Sequence, residues 1–163
     1  MNNITSNIAF KEALASLSLA QQRRVGAIFI ENVMEVTDGK CAEYVALLTE
    51  NDDVTAEEME KAYRAVQSIY VDTHLYSGFT EVDFRRQSAH FVAEACRSCL
   101  APTFGEYSKY HLAEQVAGYC RMARMCACIQ HEEEYPKFSN AEVSMKKEID
   151  TQHQILSEFL EIV

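Results

Sequence analysis

Turn-forming residues are scarce in this chain, with five glycines and two prolines among 163 residues. A β-sandwich or barrel needs a reverse turn after every short strand, and the supply here is too small for one. The scarcity favours long helices instead. No stretch approaches 18 consecutive apolar residues, so the sequence offers no helical membrane span. The opening "MNNITSNIAFKEALASLSLA" lacks a basic start and an unbroken apolar core, and so does not read as a secretory signal. Positive charge is short as well: 15 Lys and Arg stand against 25 Asp and Glu, a formal charge of −10. With a pI near 4.9, the surface is expected to repel nucleic acid and anionic membranes. It suits a partner that is itself basic.

What is present is ordinary for a globular domain. Hydrophobic residues make up 48% and charged residues 25% of the chain. A single domain of this length buries roughly 70% of the surface exposed by its unfolded chain. Six cysteines without an export signal point to free thiols in a reducing compartment, as in a bacterial cytoplasmic protein.

Helix punctuation is legible. In "VTAEEM", Thr55 is placed to cap a helix while Glu58 reaches back to it, with Val54 and Met59 in the staple positions. "FTEVDF" repeats the device with Thr80, Asp83, Phe79 and Phe84, and Gly78 suits a left-handed terminator just before it. These signals predict helices over about 56–77 and 81–101, the second stopped by Pro102. Ser18 with Gln21 opens another, reaching Val36 with Val25, Ile28, Phe29, Val33 and Val36 along one stripe. Short helices are expected from Ile8 to Leu17 and from Cys41 to Thr49, the latter after the Asp38-Gly39 break. A long helix from about Ser108 to Glu134 carries Leu112, Val116, Tyr119, Cys120, Ala123 and Ala127 at helical spacing, and Pro136 closes it. Ser139 with Glu142 opens the last helix, whose Ile149, Gln152, Leu156, Phe159 and Val163 approach a coiled-coil seam. The expected fold is all-α, one irregular bundle of six or seven helices. Residues 1–136 form its core, and 137–163 form an amphipathic helix that docks on the bundle or pairs with a second copy.

The cysteines raise the first functional question. Cys96 and Cys99 in "AEACRSCLAP" share a narrow helix face with Ala89, Val92 and Ala95, and Cys120 lies on another with Val116 and Ala123. Such small side chains let helices approach closely, and a buried free cysteine packs as a small hydrophobe. All-helical disulfide reductases of the alkylhydroperoxidase-D type pair Cys-x-x-Cys with a following His and an upstream Glu. Positions 103 and 84 here are Thr and Phe, so that proton relay is missing. Cys120, Cys126, Cys128 and His131 invite a zinc reading, but Cys126 and Cys128 on one helix point about 200° apart. A di-iron bundle needs Glu-x-x-His twice, whereas only Asp150-x-x-His153 comes near. His90 and Glu94, one turn apart, read as an ion pair or a packed histidine before an acid–base pair, and His74 reads as a packed polar aromatic. No phosphate loop, nucleophile elbow or His-Glu-x-x-His is present. No metal and no cofactor are expected.

Charge is patterned more distinctly. Asp38, Glu43, Glu50, Asp52, Asp53, Glu57, Glu58 and Glu60 face a single base, Lys40, over 23 residues. Acids in a first helical turn favour the helix dipole, but Asp52 and Asp53 precede the helix and Glu43 and Glu50 belong to another element. A solvated face that keeps the protein soluble is the bland account. The sharper one is a landing site that speeds association with a cationic surface, with Tyr44 and Tyr63 supplying contact area.

The runs "CAEYVALLTENDDVTAEEMEKAYRAVQ", "AHFVAEACRSCLAP" and "AEQVAGYCRMARMCA" resemble the helical immunity proteins of bacterial toxin systems, over roughly Cys41 to Ala127. Those chains show a short helix, an acidic or glycine-bearing break, a Thr-initiated helix, then Ala- and His-rich helices. This chain has fewer Ala and His and an added C-terminal helix. The resemblance implies an inhibitor that binds a basic toxin, and it carries over no individual residue. The expected function is therefore protein–protein binding by a small acidic cytoplasmic protein, not catalysis. Its expected partner is a basic protein rather than nucleic acid or membrane, and a homodimer is a further possibility. The alternative is a thiol- or metal-dependent helical enzyme or sensor using Cys96, Cys99 and Cys120.

Overall fold

A computed structural model describes residues 3–74, 84–102, 106–130 and 138–163. Seven α-helices run in chain order: α1 Asn7–Ser16, α2 Leu19–Val33, α3 Ala42–Glu50, α4 Ala56–Thr73, α5 Phe84–Leu100, α6 Glu106–Gln130 and α7 Phe138–Ile162. No strand occurs among the described residues. The fold is an all-α bundle, as the glycine and proline shortage requires.

The start signals at Ser18 and Thr55 work as the sequence predicts. The Ser18 side chain accepts from the Gln21 N–H at 3.2 Å while the Gln21 amide oxygen accepts from the Ser18 N–H at 2.9 Å. Thr55 and Glu58 make the same reciprocal pair at 3.1 and 2.9 Å. The Gly78, Phe79, Thr80 and Asp83 signals, like Pro136, fall outside the described residues.

Ends depart from expectation for local reasons. The helix expected to reach Val36 stops at Val33 and tightens into a 3₁₀ turn over Met34–Val36. There the Thr37 N–H and hydroxyl both donate to the Met34 carbonyl, at 3.1 Å each. The helix expected to run to 77 ends at Thr73. The Thr73 hydroxyl donates to the Tyr70 carbonyl at 3.0 Å and the His74 N–H to the Val71 carbonyl at 3.1 Å, a tightened last turn that leaves His74 extended. The last helix begins at Phe138, so Ser139 lies inside it rather than ahead of it.

Helix α6 is the hub, packing against α1, α2, α5 and α7; α4 lies on α5 and α3 on α2. The C-terminal helix rests on α6 and α2, with Gln152, Leu156 and Phe159 of its expected seam buried and Val163 exposed. Phe10, Leu14, Phe29, Ile30, Leu100 and Leu156 are the large side chains of the core. Between them, α2, α5 and α6 meet through small residues. At Gly26 of α2, an added Cβ would lie 2.8 Å from Cys99 Sγ of α5 and 3.4 Å from Val116 Cγ1 of α6.

Polar ties that the hydrophobic pattern did not mark hold the same elements. Buried Gln22 donates to the Leu17 carbonyl and accepts from the Ala113 N–H, and the Arg23 guanidinium donates to the carbonyls of Cys99 and Ala101 at the end of α5. Glu148 of α7, 3% exposed, accepts from Asn32 of α2 at 3.2 Å and from Arg124 Nε of α6 at 3.1 Å. A buried carboxylate is tolerated only with such partners.

Gly26 yields a test in which the sign matters. Helix propensity alone makes Gly→Ala stabilising by about 1 kcal/mol. Contact with Cys99 Sγ reverses this, and Gly26→Ala is expected to destabilise by about 1–3 kcal/mol in urea unfolding. Adding Cys99→Ala to it should recover part of the loss, giving a non-zero coupling in a double-mutant cycle; additive effects contradict the contact.

Candidate protein-binding surface

All eight carboxylates between Asp38 and Glu60 lie at the exposed surface. They occupy the turn before α3, α3 itself, the loop 51–55 and the first turns of α4. Several are engaged. Asp52 pairs with Arg24 at 2.8 Å, Glu60 with Arg64 at 2.6 Å and Asp38 with Lys40 at 3.5 Å. Glu58 caps its helix, and the Thr55 N–H it accepts holds its carboxyl below the usual range. Glu43 lies beside Tyr44, and its carboxylate raises the Tyr44 phenol above its ordinary value. Glu50, Asp53 and Glu57 have no ion-pair partner among the described residues. Tyr44 and Tyr63 are half-buried against the core.

These acids do not converge on one cavity. Asp38 lines a cleft with Glu35, Asp72, Arg85 and Arg86. Glu57 and Glu60 line a shallow depression on α4 with Lys61 and Arg64. Asp52 stands at the edge of a mainly apolar pocket of about 460 Å³ between α2, the loop 51–55 and α7. The arrangement is an acidic surface with an apolar recess.

Apart from Cys41, which precedes α3, the thiols lie elsewhere. Cys41, Cys96, Cys99, Cys120 and Cys126 are buried, and Cys128 is half-buried. Burial pushes the Cys99 thiol up to about 12 and Cys126 to about 11. Cys120 is pushed well up by burial, and Cys96 by the neighbouring Cys41 thiol together with burial. Thiolate is the reactive form, so the interior withholds Cys96, Cys99, Cys120 and Cys126 from chemistry on two counts, access and protonation, whereas a hydrogen bond with Cys96 holds the buried Cys41 thiol below its ordinary value. Cys99 Sγ donates to the Arg23 carbonyl at 3.6 Å, which fixes it as a packing group of the α2–α5 contact.

Sequence reasoning missed the extent of a polar cluster between α4 and α5. Thr73 Oγ1 and His90 Nδ1 are 3.0 Å apart, and the Tyr70 ring lies 4.6 Å from the His90 ring. Arg97 sits 3.9 Å over the Tyr70 ring and donates to Glu94 at 2.9 Å. Glu94 thus takes Arg97 as its ion partner, and His90 takes Thr73. Tyr70, three residues before Thr73 and twenty before His90, gave no local signal of this junction. Burial lowers His90 below its ordinary value, as it does His153, whose ring packs 5.1 Å from Phe10. Asp150 lies next to His153 on α7 but pairs with Lys146 at 3.2 Å. Among the described residues no group of three or more His, Cys, Asp or Glu is arranged to hold a metal ion; His131 lies outside them.

These environments set the pH profile of stability. A histidine lowered in the fold contributes stability that is complete above its unfolded value of 6.5 and is lost as pH falls below it. A thiol raised in the fold contributes stability complete below 9.0 and lost as pH rises toward 12. Urea midpoints should therefore be highest near pH 7–8 and fall above pH 9, by about 1.4 kcal/mol at pH 10 from Cys99 alone. Midpoints that hold or climb above pH 9 contradict the buried placement of the thiols.

Comparison of the chain with protein-family models, with curated proteins and with solved structures finds no match.

Proposed function

We propose that this protein acts by binding a basic protein through the acidic surface spanning Asp38 to Glu60, as an inhibitor of the immunity-protein kind that neutralises a basic toxin. One observation carries the reading: eight exposed carboxylates on consecutive elements, five of them without an ion-pair partner among the described residues, in a chain of formal charge −10. Paired surface acids such as Asp52 and Glu60 contribute little to stability, and unpaired ones contribute less. Their concentration is useful to an encounter, where clustered charge accelerates association with an oppositely charged surface and repels wrong partners. Burial of Cys96, Cys99 and Cys120 weighs against the thiol-enzyme reading, because a substrate would have to open the α2–α5–α6 contact to reach them.

The test uses the folded chain as bait in an extract of its host, with a triple variant Glu50→Lys, Asp53→Lys and Glu57→Lys beside it. These three side chains neither cap a helix nor make an ion pair in the fold. The wild type should capture a protein of high pI. Its association rate with that purified partner should fall about tenfold or more in the triple variant and in raised salt. Salt-insensitive capture, or equal rates for the two baits, contradicts the proposal.

A further inference from the structure

Helix α1 is attached to the bundle by few side chains. Phe10 and Leu14 are its buried residues. Lys11 pairs with Glu114 of α6 at 3.0 Å, and the Ile4 N–H ahead of the helix donates to Ser157 Oγ of α7 at 3.0 Å. The Phe10 ring meets two nitrogen-bearing side chains. The guanidinium carbon of Arg121 on α6 lies 5.2 Å from its centroid, and the His153 ring of α7 lies 5.1 Å from it. His153 is 9% exposed, and neither its Nε2 nor Arg121 Nη2 has a hydrogen-bond partner among the described residues.

The charges around this contact are already committed. Arg121 Nε donates to the Gln152 amide oxygen at 2.7 Å, a neutral partner that leaves the guanidinium charge uncompensated. Of the carboxylates on α6 and α7, Glu114 holds Lys11 and His111, Glu148 holds Asn32 and Arg124, and Asp150 pairs with Lys146. Glu158 and Glu161 line a cleft beside His153 and stand in water, as does Glu12 of α1. An imidazolium at position 153 would donate from both ring nitrogens and would share the Phe10 contact with the Arg121 cation. Burial, then Arg121, hold His153 below its ordinary value of 6.5, with Asp150 opposing. We propose that α1 is an acid-sensitive latch, docked while His153 is neutral and opening ahead of the rest of the bundle as His153 takes up a proton. The latch is independent of the partner proposed above. Undocking returns His153 to water and to its ordinary value, so docking is at full strength above pH 6.5 and weakens by up to about tenfold for each pH unit below it. A helix at the chain's beginning with two buried side chains belongs to the low-stability end of a fold, where such a bias is felt first.

Native-state hydrogen exchange of the full chain, read as protection factors from about pH 7.5 to 5, tests the latch. Amides from Phe10 to Ser16 should be less protected than those from Val25 to Val33 of α2 at every pH, which marks an opening smaller than global unfolding. Below pH 6.5 their protection should fall by close to tenfold per pH unit, while Val45–Glu50 of α3, which packs on α2, change by no more than about threefold. His153→Gln should flatten the α1 profile. Arg121→Gln removes the neighbouring cation without touching the histidine; the His153 ring resonances should then titrate at higher pH and the α1 slope should become shallower. An α1 as protected as α2, an α1 profile independent of pH, or a slope that survives either substitution overturns the latch.

Discussion

The close approach of α2 to α5 and α6 is the constraint on which the rest depends. Gly26 has no Cβ because Cys99 Sγ and Val116 already occupy that space. A helix pair this close gains dispersion contacts along its length but tolerates no added methyl. Gln22 and Arg23, one turn before Gly26, hold the contact in register by bonding to the Ala113 N–H and to the last carbonyls of α5. The seam therefore fixes both the spacing and the sliding position of three helices. Cysteine serves it well, being small, apolar and deformable enough to fill the gap that Gly26 leaves.

Around this seam the bundle sorts its charges by depth. Glu148 is carried into the interior, yet three helices meet on it through Asn32, Arg124 and Gln152. Arg124 extends the same network outward to Glu35 at 2.6 Å and to the Asn32 carbonyl at 2.8 Å. Satisfied networks of this type specify one packing arrangement, because any other leaves the carboxylate stranded. By contrast, the carboxylates from Asp38 to Glu60 remain in water, where their mutual repulsion is screened and their field extends about a Debye length outward. Structure uses the buried acid; recognition has the exposed ones at its disposal. The apolar recess lies where the two regimes touch, between the end of α7 and the acidic loop.

Much of this was written locally in the sequence. Helix starts at Ser18 and Thr55 follow from reciprocal hydrogen bonds spanning three residues, which a four-letter motif contains in full. The small-residue faces of α5 and α6 follow from 3.6-residue spacing, and the burial of Cys96, Cys99 and Cys120 with them. Helix ends were harder to place, because Thr37 and Thr73 tighten the preceding turn through hydroxyl bonds that compete with simple continuation. The long-range polar partnerships were not legible at all. Glu148 with Arg124, His90 with Thr73 and Arg23 with the end of α5 join residues 17 to 76 positions apart, and nothing in either member's neighbourhood announces the other. At the surface, composition revealed the acidic block but not its division. Lys40 and Arg64 pair with acids two and four residues away, whereas the Arg24 partner of Asp52 is brought in by the fold.

The proposed function lies on the outside of this molecule, and it presupposes that the buried sulfurs stay sealed. Timed reaction of the native protein with an aromatic disulfide reagent, with each labelled cysteine identified by peptide mass, measures that seal directly. Half-buried Cys128 alone should react quickly, with Cys41, Cys96, Cys99, Cys120 and Cys126 labelled only as the protein unfolds. Rapid labelling of Cys96, Cys99 or Cys120 without denaturant would open the α2–α5–α6 seam to solvent and contradict the account.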